Sequence, residues 1–170
     1  EGLSIKSALD VDYQLYALSA LRSGIESYDK RHGYRGPILN TKTEKNWKER
    51  LKEKKIDTSL GWKFVKITSV DDSEIIFKTI EEKKEGTIKI TNLKWAIKKT
   101  IYDSFKINDI IFVSNNSKGE WELKQYPEVN GAIIVIDPHN GKVKALVGGF
   151  SFESSEFNRA TQALRQTGSA

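Results

Sequence analysis

"WKFVKITSVDDSEIIFKTIEEKKEGTIKI" (residues 62–90) carries three short runs rich in β-branched and aromatic residues, broken by "DDS" and "EEKKE". Val, Ile, Phe and Trp favour the pleated backbone because their branched or planar side chains pack well on a sheet surface, and Asp, Ser and charged residues close such runs in turns. The pattern continues downstream through "KWAIKK" (94–99), "DIIFVS" (109–114) and "EWELKQ" (120–125), separated by "KIND" and "NNSKG". Strands at this spacing with short polar turns predict a small antiparallel β-unit over about 61–126. Five or six strands in that length correspond to an OB-like barrel.

Outward from this unit the period changes. Val11, Leu15, Leu18, Leu21, Ile25 and Tyr28 recur at spacings of three and four, the signature of an amphipathic helix, with Asp10 or Asp12 as its cap. Gly33 can end that helix and Pro37 blocks its continuation. "GLSIKSAL" (2–9) reads as a short strand before it, and "TEKNWKERLKEKK" (43–55) as a polar surface helix capped by Thr43, with Trp47 and Leu51 as its apolar face. Beyond Pro127, "GAIIVIDPHNGKVKALVGGF" (131–150) predicts a hairpin around "DPHNG". Its first strand, "AIIVI", is apolar at every position, which predicts burial on both faces and a larger covering layer than these residues supply.

Composition narrows the function classes. The 170 residues carry a net charge of +5 with no cysteine and two isolated histidines, His32 and His139. Disulfides, cysteine catalysis and cysteine-ligated zinc are thereby excluded, and a histidine-based metal centre is disfavoured. No apolar window long enough to cross a bilayer is present, and "EGLSIKSALD" lacks the basic start and apolar run of a signal peptide, so any export signal or anchor is expected outside this stretch.

"FNRATQALRQTGS" (157–169), preceded by the hairpin and the pair Gly148-Gly149, resembles the start of the transpeptidase domain of class A (bifunctional) penicillin-binding proteins, where the serine of this motif is the nucleophile. "GLSIKSALD" and "YDKRHGYRGPI" (28–38) resemble the linker segments of the same family. The resemblance implies a division into a linker strand and helix (1–39), an OB-like regulatory or docking insertion (40–126), and a truncated start of the transpeptidase domain (127–170). The expected fold is α+β and mostly β: an OB-like five- or six-stranded antiparallel barrel, an N-terminal linker helix and a C-terminal hairpin.

It further implies that Ser169 is the residue acylated by D-alanyl-D-alanine stem peptides and by β-lactams in the intact parent. A serine hydroxyl is hardly ionised at neutral pH and needs a base, supplied in Ser-x-x-Lys enzymes by a lysine one helical turn later. That position lies beyond Ala170, so this stretch by itself is expected to be inert, a non-catalytic central fragment. The parent is expected to be a membrane-anchored peptidoglycan synthase on the periplasmic side of the inner membrane, needing no cofactor or metal. Expected partners are peptidoglycan and a regulatory lipoprotein or another cell-wall synthesis protein.

The competing reading is an OB-fold module for single-stranded nucleic acid, with bases stacked on Trp62, Phe64, Phe77, Trp95, Phe112 and Trp121. Alternation of these rings with charged neighbours favours interior positions instead. Glu120 and Glu122, flanking Trp121, read as a solvated strand face rather than a hydrolytic carboxylate pair. Arg31, His32 and Arg35 read as a basic cluster complementing the helix C-terminus rather than a polymer-binding patch. His139 reads as a turn residue.

Overall fold

A computed structural model describes residues 4, 6–54, 57–153 and 155–164. The residues cluster into two compact units, Asp29–Tyr126 and the pair of segments Glu1–Tyr28 with Pro127–Ala170.

In the 29–126 unit, six strands form one antiparallel sheet: β1 (Leu39–Asn40), β2 (Lys63–Val70), β3 (Glu74–Thr79), β4 (Glu85–Lys89), β5 (Asp109–Asn115) and β6 (Trp121–Lys124). The order is β1-β5-β2-β3-β4, and β6 pairs with β5 at Phe112–Asn115 while β1 pairs with it at Asp109–Ile110. A register shift between Ile67 and Ser69 bulges β2 against β3; one extra residue on one strand bends and twists a sheet. The mostly-β antiparallel fold is as expected, but the described strands form no closed barrel. β4 and β6 share no backbone ladder; side chains span the seam instead. Trp121 stands edge-on to Phe77 at 5.4 Å, and Lys89 pairs with Glu120 at 3.6 Å.

Two cores account for the alternation along the strands. Val65, Ile67, Ile75, Phe77, Ile111 and Val113 face one core, beneath Leu93, Ala96 and Phe105. The opposite face places Ile110 against Leu39 and Leu51, with Trp47, Phe64 and Ile80 packed around them. β5 lies between the two, which explains why Asp109–Ser114 is buried throughout.

"KWAIKK" is not a strand. Ile90–Asn92 and Lys94–Ala96 form two 3-10 turns, and the short helix α3 (Ile101–Ser104) follows, closed by a capping box between Thr100 and Asp103. The i, i+3 spacing of a 3-10 turn sets Leu93 and Ala96 on one side, and both are buried. The polar helix is shorter than expected: α2 runs Trp47–Glu53, after Asn46, and Thr43 donates its hydroxyl to Asn40 O instead of capping it.

Helix α1 (Val11–Arg31) begins after Asp10, whose Oδ1 accepts from the amides of Asp12 (3.0 Å) and Tyr13 (3.3 Å). Its buried stripe is displaced from the expected one. Ala17, Leu21 and Ile25 are buried, whereas Val11 is 75% and Leu15 58% exposed. The stripe continues through a polar residue: Gln14 Nε2 donates to Leu146 O at 3.0 Å, and Leu146 N donates to Gln14 Oε1 at 2.9 Å. A side-chain amide satisfying strand backbone on both counts can face inward at low cost. Of the strand expected at 2–9, residues 2, 3 and 5 lie outside the described residues, and the described remainder is irregular.

In the second unit, β7 (Ile133–Ile136) pairs antiparallel with β8 (Val143–Val147). Asp137 holds the turn, accepting from His139 N at Oδ1 and from Asn140 Nδ2 at Oδ2, both at 2.9 Å, and Gly141 takes a left-handed φ of +70°. β7 is not buried on both faces. Ile134 and Ile136 are 43% and 54% exposed, because the described sheet has two strands and one covered face.

Candidate functional site

Ser169, the expected nucleophile, lies outside the described residues. What the structure places is the approach to it. After β8 the chain passes Gly148, Gly149 and Phe150, and this bend is clamped from several sides. Asn130 Oδ1 accepts from Phe150 N at 2.8 Å, and Arg22 Nε donates to Phe150 O at 3.0 Å. Arg159 N donates to Gly148 O at 3.0 Å. A Cβ on Gly148 would lie 2.8 Å from Asn158 Cα, closer than real carbon contacts allow, so that position has room only for hydrogen. Gly149 faces Arg159 Nη1 and Asn130 Oδ1, at 3.2 and 3.4 Å from an added Cβ.

Asn158 then opens one helical turn. Its carbonyl accepts from Gln162 N at 2.8 Å, its Oδ1 accepts from Ala160 N at 3.0 Å, and its own amide donates to Gln162 Oε1 at 2.7 Å. This is a reciprocal cap: each residue satisfies a backbone donor that a single free turn leaves open. Sequence reasoning quoted these residues as a motif, and the structure supplies their physical role.

A second constellation ties the two ends of the 29–126 unit together. Asp29 is 3% exposed. Arg35 grips it with Nη1 on Oδ1 at 2.9 Å and Nη2 on Oδ2 at 3.1 Å, while Nη2 also reaches Tyr126 O at 2.6 Å. Gln125 completes the knot, its Nε2 donating to Asp29 Oδ2 at 2.8 Å and its Oε1 accepting from Arg35 N at 2.8 Å. Arg35 is therefore an ion-pair partner beyond the helix end, not a dipole-complementing surface charge. Lys30 and Arg31 do occupy the last turn of α1. Asp29 was overlooked, although an acid in the last turn of a helix opposes the macrodipole and thereby signals a dedicated cation.

The six aromatic residues considered as a stacking platform are not exposed. Phe77, Phe112 and Trp62 are buried; Phe64, Trp95 and Trp121 are half-buried against the cores. Phe64 stacks on Phe112 at 4.9 Å and Trp62 tilts against it at 5.6 Å. Glu120 and Glu122 sit among polar partners. Hydrogen bonds from Asn92 and Asn116, with Lys89 nearby, hold the Glu120 carboxyl below the usual range, and Asn116 Nδ2 donates to Glu122 Oε1 at 3.1 Å. Glu120 is thus not raised toward a general acid. Among the described residues no group of three or more His, Cys, Asp or Glu is arranged to hold a metal, and no helix is long and apolar enough to cross a membrane.

Residues 34–129, more than half of the chain, match the family described as the penicillin-binding protein OB-like domain. The chain belongs to the penicillin-binding proteins. It is 40% identical over 171 residues to penicillin-binding protein 1A of Rickettsia typhi, covering 99% of this chain and 21% of that protein. With penicillin-binding protein 1A of Pseudomonas aeruginosa it shares 33% identity over 183 residues, covering 100% of this chain and 22% of the relative. The crystal structure of penicillin-binding protein 1A from Haemophilus influenzae superimposes with a TM-score of 0.74 at 28% identity, covering 94% of this chain and 24% of that one. The chain thus spans about a fifth of the length of the relatives it matches. The likeness includes the OB-like region and the flanks, as the quoted motifs imply for a class A penicillin-binding protein.

Proposed function

We propose that this chain is the central part of a peptidoglycan synthase that polymerises glycan strands and crosslinks their stem peptides outside the cytoplasmic membrane. Residues 1–39 act as linker, 40–126 as a non-catalytic OB-like spacer that docks a regulatory partner, and 127–170 as the start of the transpeptidase domain. The observation that carries this reading is the motif "FNRATQALRQTGS", which follows a clamped Gly148-Gly149 bend in a chain 40% identical along 99% of its length to a penicillin-binding protein 1A.

Ser169 is the nucleophile of the intact enzyme. Its Oγ attacks the penultimate D-alanyl carbonyl, the C–N bond breaks, and terminal D-alanine leaves with the proton; an amine of a second stem peptide then takes the acyl group. A β-lactam acylates the same oxygen as its ring C–N bond opens, the serine proton passing to the ring nitrogen. A lysine three residues on supplies the base.

The test is labelling by a fluorescent penicillin. The full-length enzyme is expected to label, and Ser169→Ala to abolish labelling. Persistent labelling of Ser169→Ala would overturn the assignment of the nucleophile.

A further inference from the structure

Charge is unevenly divided along the chain. Residues 29–126 carry 22 lysines and arginines against 15 aspartates and glutamates, a net +7, while the remaining residues net −2, which together give the +5 of the whole. Part of the sheet's share is neutralised locally: Lys63 and Lys84 both pair with Glu82, Lys89 with Glu120 and Lys124 with Glu122. The turn at 94–99 differs. Lys94, Lys98 and Lys99 are exposed, and among the described residues no carboxylate pairs with any of them. Asp103, the next acid along the chain, is engaged by the amide and hydroxyl of Thr100.

The backbone beneath these lysines is fixed. Leu93, Ala96 and Ile101 are buried. Ser104 Oγ donates to Ala96 O at 2.8 Å, and Ile97 N donates to Lys94 O at 3.4 Å. A fourth ammonium joins from the last turn of α1, where Lys30 Nζ stands 5.5 Å from the centroid of the Trp95 ring. A cation over an aromatic face is held electrostatically, so Trp95 keeps Lys30 beside the turn although the two lie far apart in the sequence.

All four cations are lysines. An ammonium is a compact point charge without the planar fork of arginine, so the patch senses the density of negative charge rather than the orientation of one carboxylate. Lysine is also depleted at protein–protein interfaces, where arginine and aromatic rings are enriched. Docking on a membrane surface needs apolar side chains to insert beside the charges, but Trp95 and Ile97 are half-buried against the core. What fits is a flexible polymer with carboxylates repeated along it.

We propose that the 94–99 turn with Lys30 is a non-catalytic binding surface for uncrosslinked glycan strands, its ammonium groups holding the carboxylates of the stem peptides. This goes beyond the docking role given to residues 40–126 and rests on the reading of the chain as part of a peptidoglycan synthase.

The test titrates residues 1–170 into fluorescently labelled, uncrosslinked glycan strands and reads binding by anisotropy. Binding is expected to weaken at least about 5-fold between about 50 and about 300 mM salt, because exposed charges are screened. The triple variant Lys94→Gln, Lys98→Gln, Lys99→Gln is expected to weaken it about 10-fold, the loss of three surface ion pairs. Its urea midpoint should stay that of the parent, since the three side chains are exposed. The double variant Lys63→Gln, Lys84→Gln removes cations already paired with Glu82 and is expected to change binding by less than about 2-fold. Strands stripped of their stem peptides are expected not to bind.

No binding by the parent chain would overturn the proposal. So would equal losses in the triple and double variants, which is an effect of net charge, or equal binding of stripped strands. Tighter binding of poly-L-glutamate than of strands would overturn it in favour of an acidic polypeptide, and tighter binding of phosphatidylglycerol vesicles in favour of a membrane. Penicillin labelling that survives Ser169→Ala would instead weaken the underlying reading, and that result is separate because none of these lysines enters it.

Discussion

Arg35 shows how one side chain can replace a covalent tie. Its guanidinium bonds both oxygens of the buried Asp29 and the carbonyl of Tyr126, so the first and last residues of the 29–126 unit meet on a single fork. Removing it leaves Asp29 charged, desolvated and held by Gln125 with less than its full set of partners. Breaking a buried pair from one side costs about 3–5 kcal/mol, so Arg35→Ala is expected to lower the unfolding free energy of residues 1–170 by about 3 kcal/mol in urea titrations. Arg35→Lys, which keeps charge but loses the fork, should recover less than half of that. An unchanged urea midpoint for Arg35→Ala would remove the knot from the account.

Tyr34 lies in the same stretch and predicts a pH response. Burial, with the Asp109 charge second, pushes its phenol well above the ordinary value of 10.0. Unfolded, it ionises near that ordinary value; folded, it stays protonated. Above about pH 10 the folded state therefore holds more protons, and stability present below that pH is lost as pH rises through and beyond it. Tyr34→Phe is expected to make the fall between pH 9 and 11 shallower than in the parent chain. Equal slopes would show that Tyr34 titrates normally in the fold.

At the scale of elements, the seam between β4 and β6 is where the sheet is most exposed to failure. Unpaired strand edges recruit other strands, and here Trp121 closes the gap by lying over Gly86. A Cβ on Gly86 would meet Phe77 Cζ at 2.5 Å and Trp121 Nε1 at 2.9 Å. Both rings would have to shift, and overpacking of this kind costs about 1–3 kcal/mol. Gly86→Ala is expected to destabilise by that amount, and light scattering on heating should begin at lower temperature than in the parent. A neutral Gly86→Ala would mean that the rings are free to move aside. The same neighbourhood explains why "KWAIKK" misleads: a Trp and an Ile between lysines satisfy the alternation of a strand, yet the 3-10 turns around them place Leu93 and Ala96 under the sheet. Short amphipathic runs fit both periods, and packing decides between them.

The whole chain falls into two units with different prospects. Residues 29–126 contain two cores, a complete sheet and a knot joining their ends. Expressed by itself, this stretch is expected to unfold in one cooperative transition with β-type circular dichroism. A broad, non-cooperative melt would show that its stability depends on its flanks. The second unit contains a two-stranded sheet with an open face, and isolated hairpins are marginal in water.

The sequence by itself determined the length and ends of α1, the strands at 62–69, 74–80 and 109–114, the hairpin turn, and the resemblance that names the family. Each rests on local period, on turn chemistry or on a motif, and these act between residues close in the chain. Tertiary structure decided that the sheet stays open, which face of α1 is buried, that residues 94–99 turn, and that Asp29 belongs to Arg35 and Gln125. It also decided why Gly148 must be glycine. These outcomes depend on partners far apart in sequence, such as Gln14 with Leu146 and Asp29 with Gln125, and no local pattern encodes the distance at which such groups meet.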